Sequence, residues 1–348
     1  MSNFYDGTKL LSMKDKNGET PEIYMCTTNR SAGKTTFFGR MLVNRFIKKG
    51  DKFCLVYRNI GELSSVADKF FKDIRSLFFN DYYMESKMRE KGLFYELYLC
   101  KGEKKSECGY AVALNSADKI KKCSHLLSDT TSMLFDEFQS ETNSYISNEV
   151  TKFISLHTSI ARGGGEQVRY VPVYMLSNSV TLLNPYYVAM GISARLNSNA
   201  KFLKGDGFVV EQGFNESASI AQKQSAFNRA FSGSDYVAYS SENIYLNDNY
   251  SFIEKMSGNS KYICTLKYGR KMYAVREYSE SGIIYCDDRP DKTHGLRIAL
   301  STDDMEINYI MIKNNAFFFN QLRWYFERGC FRFKNLECKE VILKTLSY

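Results

Sequence analysis

The chain opens with polar residues over 1–20, then alternates short apolar runs with longer periodic stretches. Ile23-Tyr24-Met25-Cys26 has the length and character of a buried strand. A small polar loop follows, and then Phe38, Met41, Leu42 and Phe46 recur at helical spacing up to Lys48-Lys49-Gly50. Basic residues followed by glycine are a helix stop. Lys52 to Arg58 reads as a second buried strand, and Leu63, Val66, Ala67, Phe70, Phe71, Ile74, Leu77 and Phe78 keep the period of a second helix. A β-α-β-α opening predicts an α/β fold with a parallel-sheet core.

Leu93 to Leu99 and Tyr110 to Leu114 predict a hairpin around the charged turn 101–105. Met133-Leu134-Phe135 and Val171 to Leu176 read as further buried strands, with a helix between them over Asn148 to Ile160 that carries Val150, Phe153, Ile154 and His157 on one face. From about 198 to 235 Asn, Ser, Gly, Gln and Lys dominate, which predicts a linker or small lid with a helix over Gln222 to Phe231. Tyr262 to Tyr268, Lys271 to Tyr278 and Gly282 to Cys286 then predict three antiparallel strands, the first two joined at Gly269-Arg270, before one long helix from Asp303 to Arg328. The domains expected are 1–197, a linker or lid at 198–235, and a smaller α+β domain at 236–348.

Composition narrows the class. A chain of 348 residues is long for one core, and 44% apolar with 25% charged residues is globular rather than disordered. Nine scattered cysteines without a C-x-x-C pair, and three dispersed histidines, argue against a zinc site and for a reducing cytosol. No apolar stretch reaches membrane-spanning length and no secretory h-region opens the chain, so a soluble, cytoplasmic protein without a membrane partner is expected. The net charge of +8 permits a partner with a phosphate backbone.

The chemistry concentrates at strand ends. Strand, loop and helix around Arg30-Ser31-Ala32-Gly33-Lys34-Thr35-Thr36 is the context of a phosphate-binding loop. Backbone N–H groups at the helix start and the helix dipole favour an anion there. Lys34 is placed to reach the β- and γ-phosphates of ATP, and the Thr35 hydroxyl to ligate Mg²⁺. The motif departs from its usual form, with Thr28 where its first glycine stands. About a hundred residues later, Asp136 and Glu137 follow directly on an apolar strand. That puts two carboxylates at the carboxyl edge of the sheet, Asp136 for Mg²⁺ and Glu137 to polarise a water. Ser177-Asn178-Ser179 ends the next strand, and Asn178 fits a γ-phosphate contact as well as a plain turn. Arg162, before Gly163-Gly164-Gly165, suits either a helix C-terminal dipole or an arginine finger reaching a neighbouring subunit. Lys119, Lys121 and Lys122 form a basic run that is either solvated surface or a DNA-gripping loop. Asp287-Asp288 ends a strand without further carboxylates nearby and reads as a turn.

With these motifs placed, the chain resembles the DNA-packaging ATPases of small tailed phages of the phi29 type and, more distantly, the ATPase of terminase large subunits. Val43 to Gly50, Phe135-Asp136-Glu137-Phe138, Asn148-Glu149-Val150, Leu176 to Val180 and Asn184-Pro185-Tyr186 carry the resemblance, which covers most of residues 20–190. Terminase-type loops also lack the first glycine, and the family has an arginine where Arg30 stands. The resemblance implies an ATPase of the additional-strand, catalytic-glutamate class, working as a homopentameric ring on the portal of a procapsid. It places the trans-acting arginine on Arg162 and implies double-stranded DNA as cargo in the host cytoplasm. It leaves open whether a structural RNA takes part. It also implies an RNase H-like C-terminal domain, read as a degenerate nuclease that does not cleave. A nucleotide-gated DNA scaffold and a helicase or partition-type ATPase are the alternatives.

Overall fold

The computed structural model describes residues 4–142, 144–162, 167–181, 184–192, 201–231, 252–328 and 330–346. The chain divides into two compact units, Met1–Asn247 and Asp248–Tyr348. The first is built on a nine-stranded sheet. Its strands are β1 (Ile23–Thr28), β2 (Lys52–Tyr57), β3 (Tyr83–Arg89), β4 (Phe94–Lys101), β5 (Lys104–Ala113), β6 (Thr130–Asp136), β7 (Val173–Asn178), β8 (Phe202–Lys204) and β9 (Phe208–Gln212). They lie in the order β3-β4-β5-β2-β6-β7-β1-β9-β8. From β5 to β9 all pairings are parallel, and the flanking strands β3, β4 and β8 add antiparallel edges. The helices are α1 (Thr8–Ser12), α2 (Lys34–Lys49), α3 (Val66–Phe78), α4 (Ala117–Ile120), α5 (Glu149–Ile160), α6 (Pro185–Ala189), α7 (Glu216–Gln224) and α8 (Ala226–Ala230).

The apolar runs explain the sheet. Strands buried on both faces need no alternation, and Tyr24 to Cys26, Phe53 to Val56 and Met133 to Phe135 are all buried. Phe38 of α2 and Tyr24 of β1 pack on Tyr174 of β7, with ring centroids 5.3 and 5.7 Å away. Register then sets the site: Thr28 pairs with Asn178, and Asp136 with Leu176. The ends of β1, β6 and β7 therefore meet at one edge, where α2 begins.

The stretch 198–235 is not a linker throughout. β9 pairs with β1 along Ile23–Thr27, and β8 forms the sheet's edge beside it. Among the described residues of this stretch only the part after Gly213 is helical, and it is two short helices broken at Ser225 rather than one over 222–231. Polar neighbours hide a five-residue strand whose partner lies near the start of the chain. The unit boundary falls at Asn247/Asp248 instead of 235/236.

In the second unit, β10 (Lys261–Tyr268), β11 (Lys271–Tyr278), β12 (Ile283–Asp287), β13 (Arg297–Ala299), β14 (Ile310–Met311) and β15 (Phe331–Phe333) form a six-stranded sheet ordered β14-β13-β10-β11-β12-β15. Three antiparallel strands with β13 and β14 added in parallel beside the first make the strand order of an RNase H-like sheet. The predicted hairpin turn at Gly269-Arg270 is present. The long helix expected over 303–328 is shorter: only α9 (Ala316–Glu327) is helical, and α10 (Leu336–Leu346) follows it. Asp304 is buried and accepts hydrogen bonds from the Gly269 and Arg270 N–H groups, which holds 302–304 in a tight turn. Asp287 pairs with Arg276 at 2.8 Å, and Asp288 with Lys334. β10 and β13 carry no carboxylate. All nine cysteines are free thiols, and all but Cys330 are buried. Among the described residues no helix is long and apolar enough to cross a membrane.

Candidate nucleotide site

The loop after β1 turns through two left-handed residues, Ser31 at φ 62° and Gly33 at φ 95°. Glycine takes the second without strain, and α2 starts at the next residue. Lys34 is buried, its ammonium donating to the Thr28 hydroxyl at 2.8 Å and to Asn178 Oδ1 at 3.1 Å. Thr28, the departure from the usual motif, thus seats the lysine. Burial holds the Lys34 ammonium below the usual lysine range, opposed by Cys26, Asp136 and Glu137 nearby.

The Thr35 hydroxyl donates to Asp136 Oδ2 at 2.6 Å. Burial raises the Asp136 carboxyl, and the Thr35 bond and Lys34 work against that rise. A hydroxyl beside a single carboxylate is a hard-oxygen donor set of the kind Mg²⁺ takes when substrate phosphates and water complete its shell. Among the described residues no group of three or more His, Cys, Asp or Glu could hold a metal. Glu137 turns back at φ 57°, a rare conformation for a non-glycine residue, and its N–H donates to Asp136 Oδ1 at 3.0 Å. Its side chain faces an open cleft of about 320 Å³ lined also by Thr35, Tyr57, Glu62, Lys69 and Asp136. Desolvation and then the Asp136 charge raise the Glu137 carboxyl. The structure therefore brings Lys34, Thr35, Asp136, Glu137 and Asn178 together.

Several residues of the site were not read from the sequence. Arg58, directly after β2, donates to the Glu137 and Phe138 carbonyls at 3.3 and 2.9 Å and forks onto the buried Glu149 carboxylate at 2.9–3.1 Å. Tyr186 of α6 donates to the same carboxylate at 3.0 Å. Arg58 follows directly on an apolar strand, as Glu137 does. Arg30 pairs with Glu141 at 3.1 Å, and Glu141 also accepts from Asn178 Nδ2 at 3.3 Å. Asn29 and Asn215 exchange two amide hydrogen bonds at 2.9 and 3.0 Å, and Gln222 of α7 donates to Ser31 at 3.2 Å. The segment after β9 is thereby fastened to the phosphate loop.

Arg162 is elsewhere. It is exposed, just beyond the end of α5. Arg169 ties Ala161 and Ile160 to the Thr130 carbonyl, at the start of β6. The residues just before Arg162 are thus tied to the start of β6, whereas Asp136 ends that strand, whose seven residues span about 20 Å. The glycines 163–165 lie outside the described residues. Lys119, Lys121 and Lys122 are exposed, but they do not form a loop. Ala117, Ile120, Cys123 and Leu127 are buried at near-helical spacing, which coils the segment into α4 and the 3-10 turn after it.

The model of the Podovirus DNA encapsidation protein (Gp16) family matches residues 1–347. The DNA packaging protein of Bacillus phage PZA is 28% identical over 310 residues, 88% of this chain and 87% of the relative. That of Bacillus phage B103 is 27% identical over 323 residues, 92% and 93% of the two chains. Among solved structures, a chain of the bacteriophage Phi-29 viral genome packaging motor assembly superposes with a TM-score of 0.67 at 26% identity, covering 100% of this chain and 98% of that one. A chain of the Phi-28 gp11 DNA packaging motor, 17% identical, shares the fold with a TM-score of 0.59 over 99% of this chain and 97% of that one.

Proposed function

Since this chain belongs to the Podovirus DNA encapsidation protein (Gp16) family, we propose that it is an ATPase that drives double-stranded DNA into a viral procapsid in the host cytoplasm. The observation that carries the reading is the convergence of three parallel strand ends on α2, with Lys34 on Thr28 and Asn178 and Thr35 on Asp136. Residues Arg30 to Thr36 cradle the phosphates of ATP, and Lys34 leaves its seat to meet the β- and γ-phosphates. Asn178, released from Lys34, is placed to report the γ-phosphate. Thr35 and Asp136 would hold Mg²⁺, which neutralises phosphate charge when bound. Glu137, raised toward neutrality in its cleft, takes the proton of the attacking water.

The residues just before Arg162 are tied to the start of β6, away from its own loop, which supports its acting on a neighbour's triphosphate. A ring of copies, pentameric by family resemblance, seats on the portal and passes DNA through its centre. Grip is to phosphates, because a motor must move any sequence. Lys119, Lys121 and Lys122 supply part of it, and the second unit contacts DNA and the portal without cutting.

The test is ATP hydrolysis by the purified chain with blunt duplex, with single strands and without DNA. Duplex is expected to stimulate turnover, and Lys34→Ala to abolish it together with nucleotide binding. Turnover that duplex leaves unchanged would overturn the motor reading, and preferential stimulation by single strands would favour a helicase.

A further inference from the structure

We infer that Phe4 is the stacking platform for the nucleobase, so that the N-terminal arm is part of the nucleotide site. The inference rests on the reading of the Lys34 loop as a triphosphate cradle. Asp136 at the end of β6, Glu137 directly after it, and Asn178 on β7 stand on one side of β1, and mark the end of the phosphate chain where the bond is cut. A nucleotide is linear, so its sugar and base leave the loop on the other side, toward β9.

On that side the arm is anchored by Tyr5. Its N–H donates to the Ala32 carbonyl at 2.7 Å, and its hydroxyl to Glu211 of β9 at 2.6 Å. Its ring lies edge-on to Phe37 at 5.8 Å and stacked near Phe38 at 6.2 Å, and it is 9% exposed. Phe4, the residue before, is 51% exposed, and a methyl group added at Gly33 would lie 3.1 Å from its ring. A single exposed phenylalanine is ordinary. One held by a buried tyrosine against the backbone of the phosphate loop, at the end where a base must emerge, has a defined task. Every base offers a π-face, and purines offer the larger one.

The test uses the full chain with ATP and with inorganic tripolyphosphate, which has the phosphates and no base. Phe4→Ala should weaken ATP binding by about 10- to 100-fold, the range for removing one base-stacking aromatic, and leave tripolyphosphate binding unchanged. Phe4→Trp should restore ATP affinity. In a Trp324→Phe background, which removes the chain's one native tryptophan, its emission should be quenched by ATP and GTP and not by tripolyphosphate. Unchanged ATP affinity in Phe4→Ala overturns the inference, and so does an equal loss for both ligands, which would make Phe4 a prop for Gly33. If the unaltered protein binds neither ligand, the cradle reading itself fails, and this one with it.

Discussion

Glu137 shows how much a single position can be asked to do. Its left-handed turn aims the carboxylate into the cleft while its N–H stays on Asp136. Glu137→Gln keeps that geometry and removes the carboxylate proposed as the base, so it should bind ATP and hydrolyse it at least ~100-fold more slowly in single-turnover phosphate release. Near-normal release would take Glu137 out of that role. Arg58 acts at one remove. Arg58→Ala strands the buried Glu149 carboxylate and should cost ~3–5 kcal/mol in a urea titration, much of it recovered when Glu149→Gln is added. If the double variant is no more stable than the single one, the pair is not what holds the Glu137–Phe138 turn. Gly33-Lys34-Thr35 and Asp136-Glu137 were legible because charged groups set directly on the end of a buried apolar strand, or one short loop beyond it, stand out against that strand. Arg58 follows its strand the same way, but an arginine there reads as solvated until β2 is known to lie beside β6 and Glu149 to fold back onto it. Burial lifts the Glu211 carboxyl above the ordinary range despite the Tyr5 hydrogen bond. A carboxyl raised in the folded state contributes stability at low pH that is lost as pH rises through its folded value. Glu211→Gln should therefore flatten the fall in melting temperature above the ordinary carboxylate pKa of about 4.3. An unaltered profile would remove Glu211 as its source.

Among elements, the close approach of β5 to β2 is the most exacting contact. A methyl group built on Gly109 would lie 2.0 Å from the Phe53 carbonyl oxygen, which is backbone and has nowhere to go. Gly109→Ala should part the two strands and cost at least the ~1–3 kcal/mol of an overpacked core, read as a lower urea midpoint. β1, β2, β6 and β7 were predicted because strands buried on both faces are continuous apolar runs. β3, with the sequence Tyr-Met-Glu-Ser-Lys-Met-Arg, was not, since an edge strand exposed along much of its length has no such signature. β9 was missed for another reason: Phe208-Val209-Val210 is too short a run to stand out between glycines and asparagines, and only pairing with β1 makes it a strand. The helix expected over 303–328 failed in the reverse sense. Ile307 and Ile310 keep a helical spacing, yet Ile307 is 89% exposed, because the buried Asp304 commits the preceding turn to the β10–β11 hairpin.

For the molecule as a whole, the cradle stands at the end of β6 and the residues just before Arg162 are tied to its start. Subunits carrying Arg162→Ala and subunits carrying Glu137→Gln should each be inactive alone and regain part of the turnover when mixed. A mixture with no recovery would argue against sharing between copies. Replacing Lys119, Lys121 and Lys122 with glutamine should lower the slope of log affinity against log salt by up to ~2.7 if all three meet phosphates, at about 0.9 per contact. An unchanged slope would move the grip to other residues. The separation of the two ends also decides what damage looks like. If Arg162 acts on a neighbour's triphosphate in a ring, as proposed, each copy would give in one direction around the circle and receive from the other, so a faulty side chain would disable a junction rather than a subunit. Two faults in adjacent copies can then fall on the same junction, and the order of defective copies around the circle would matter as much as their number.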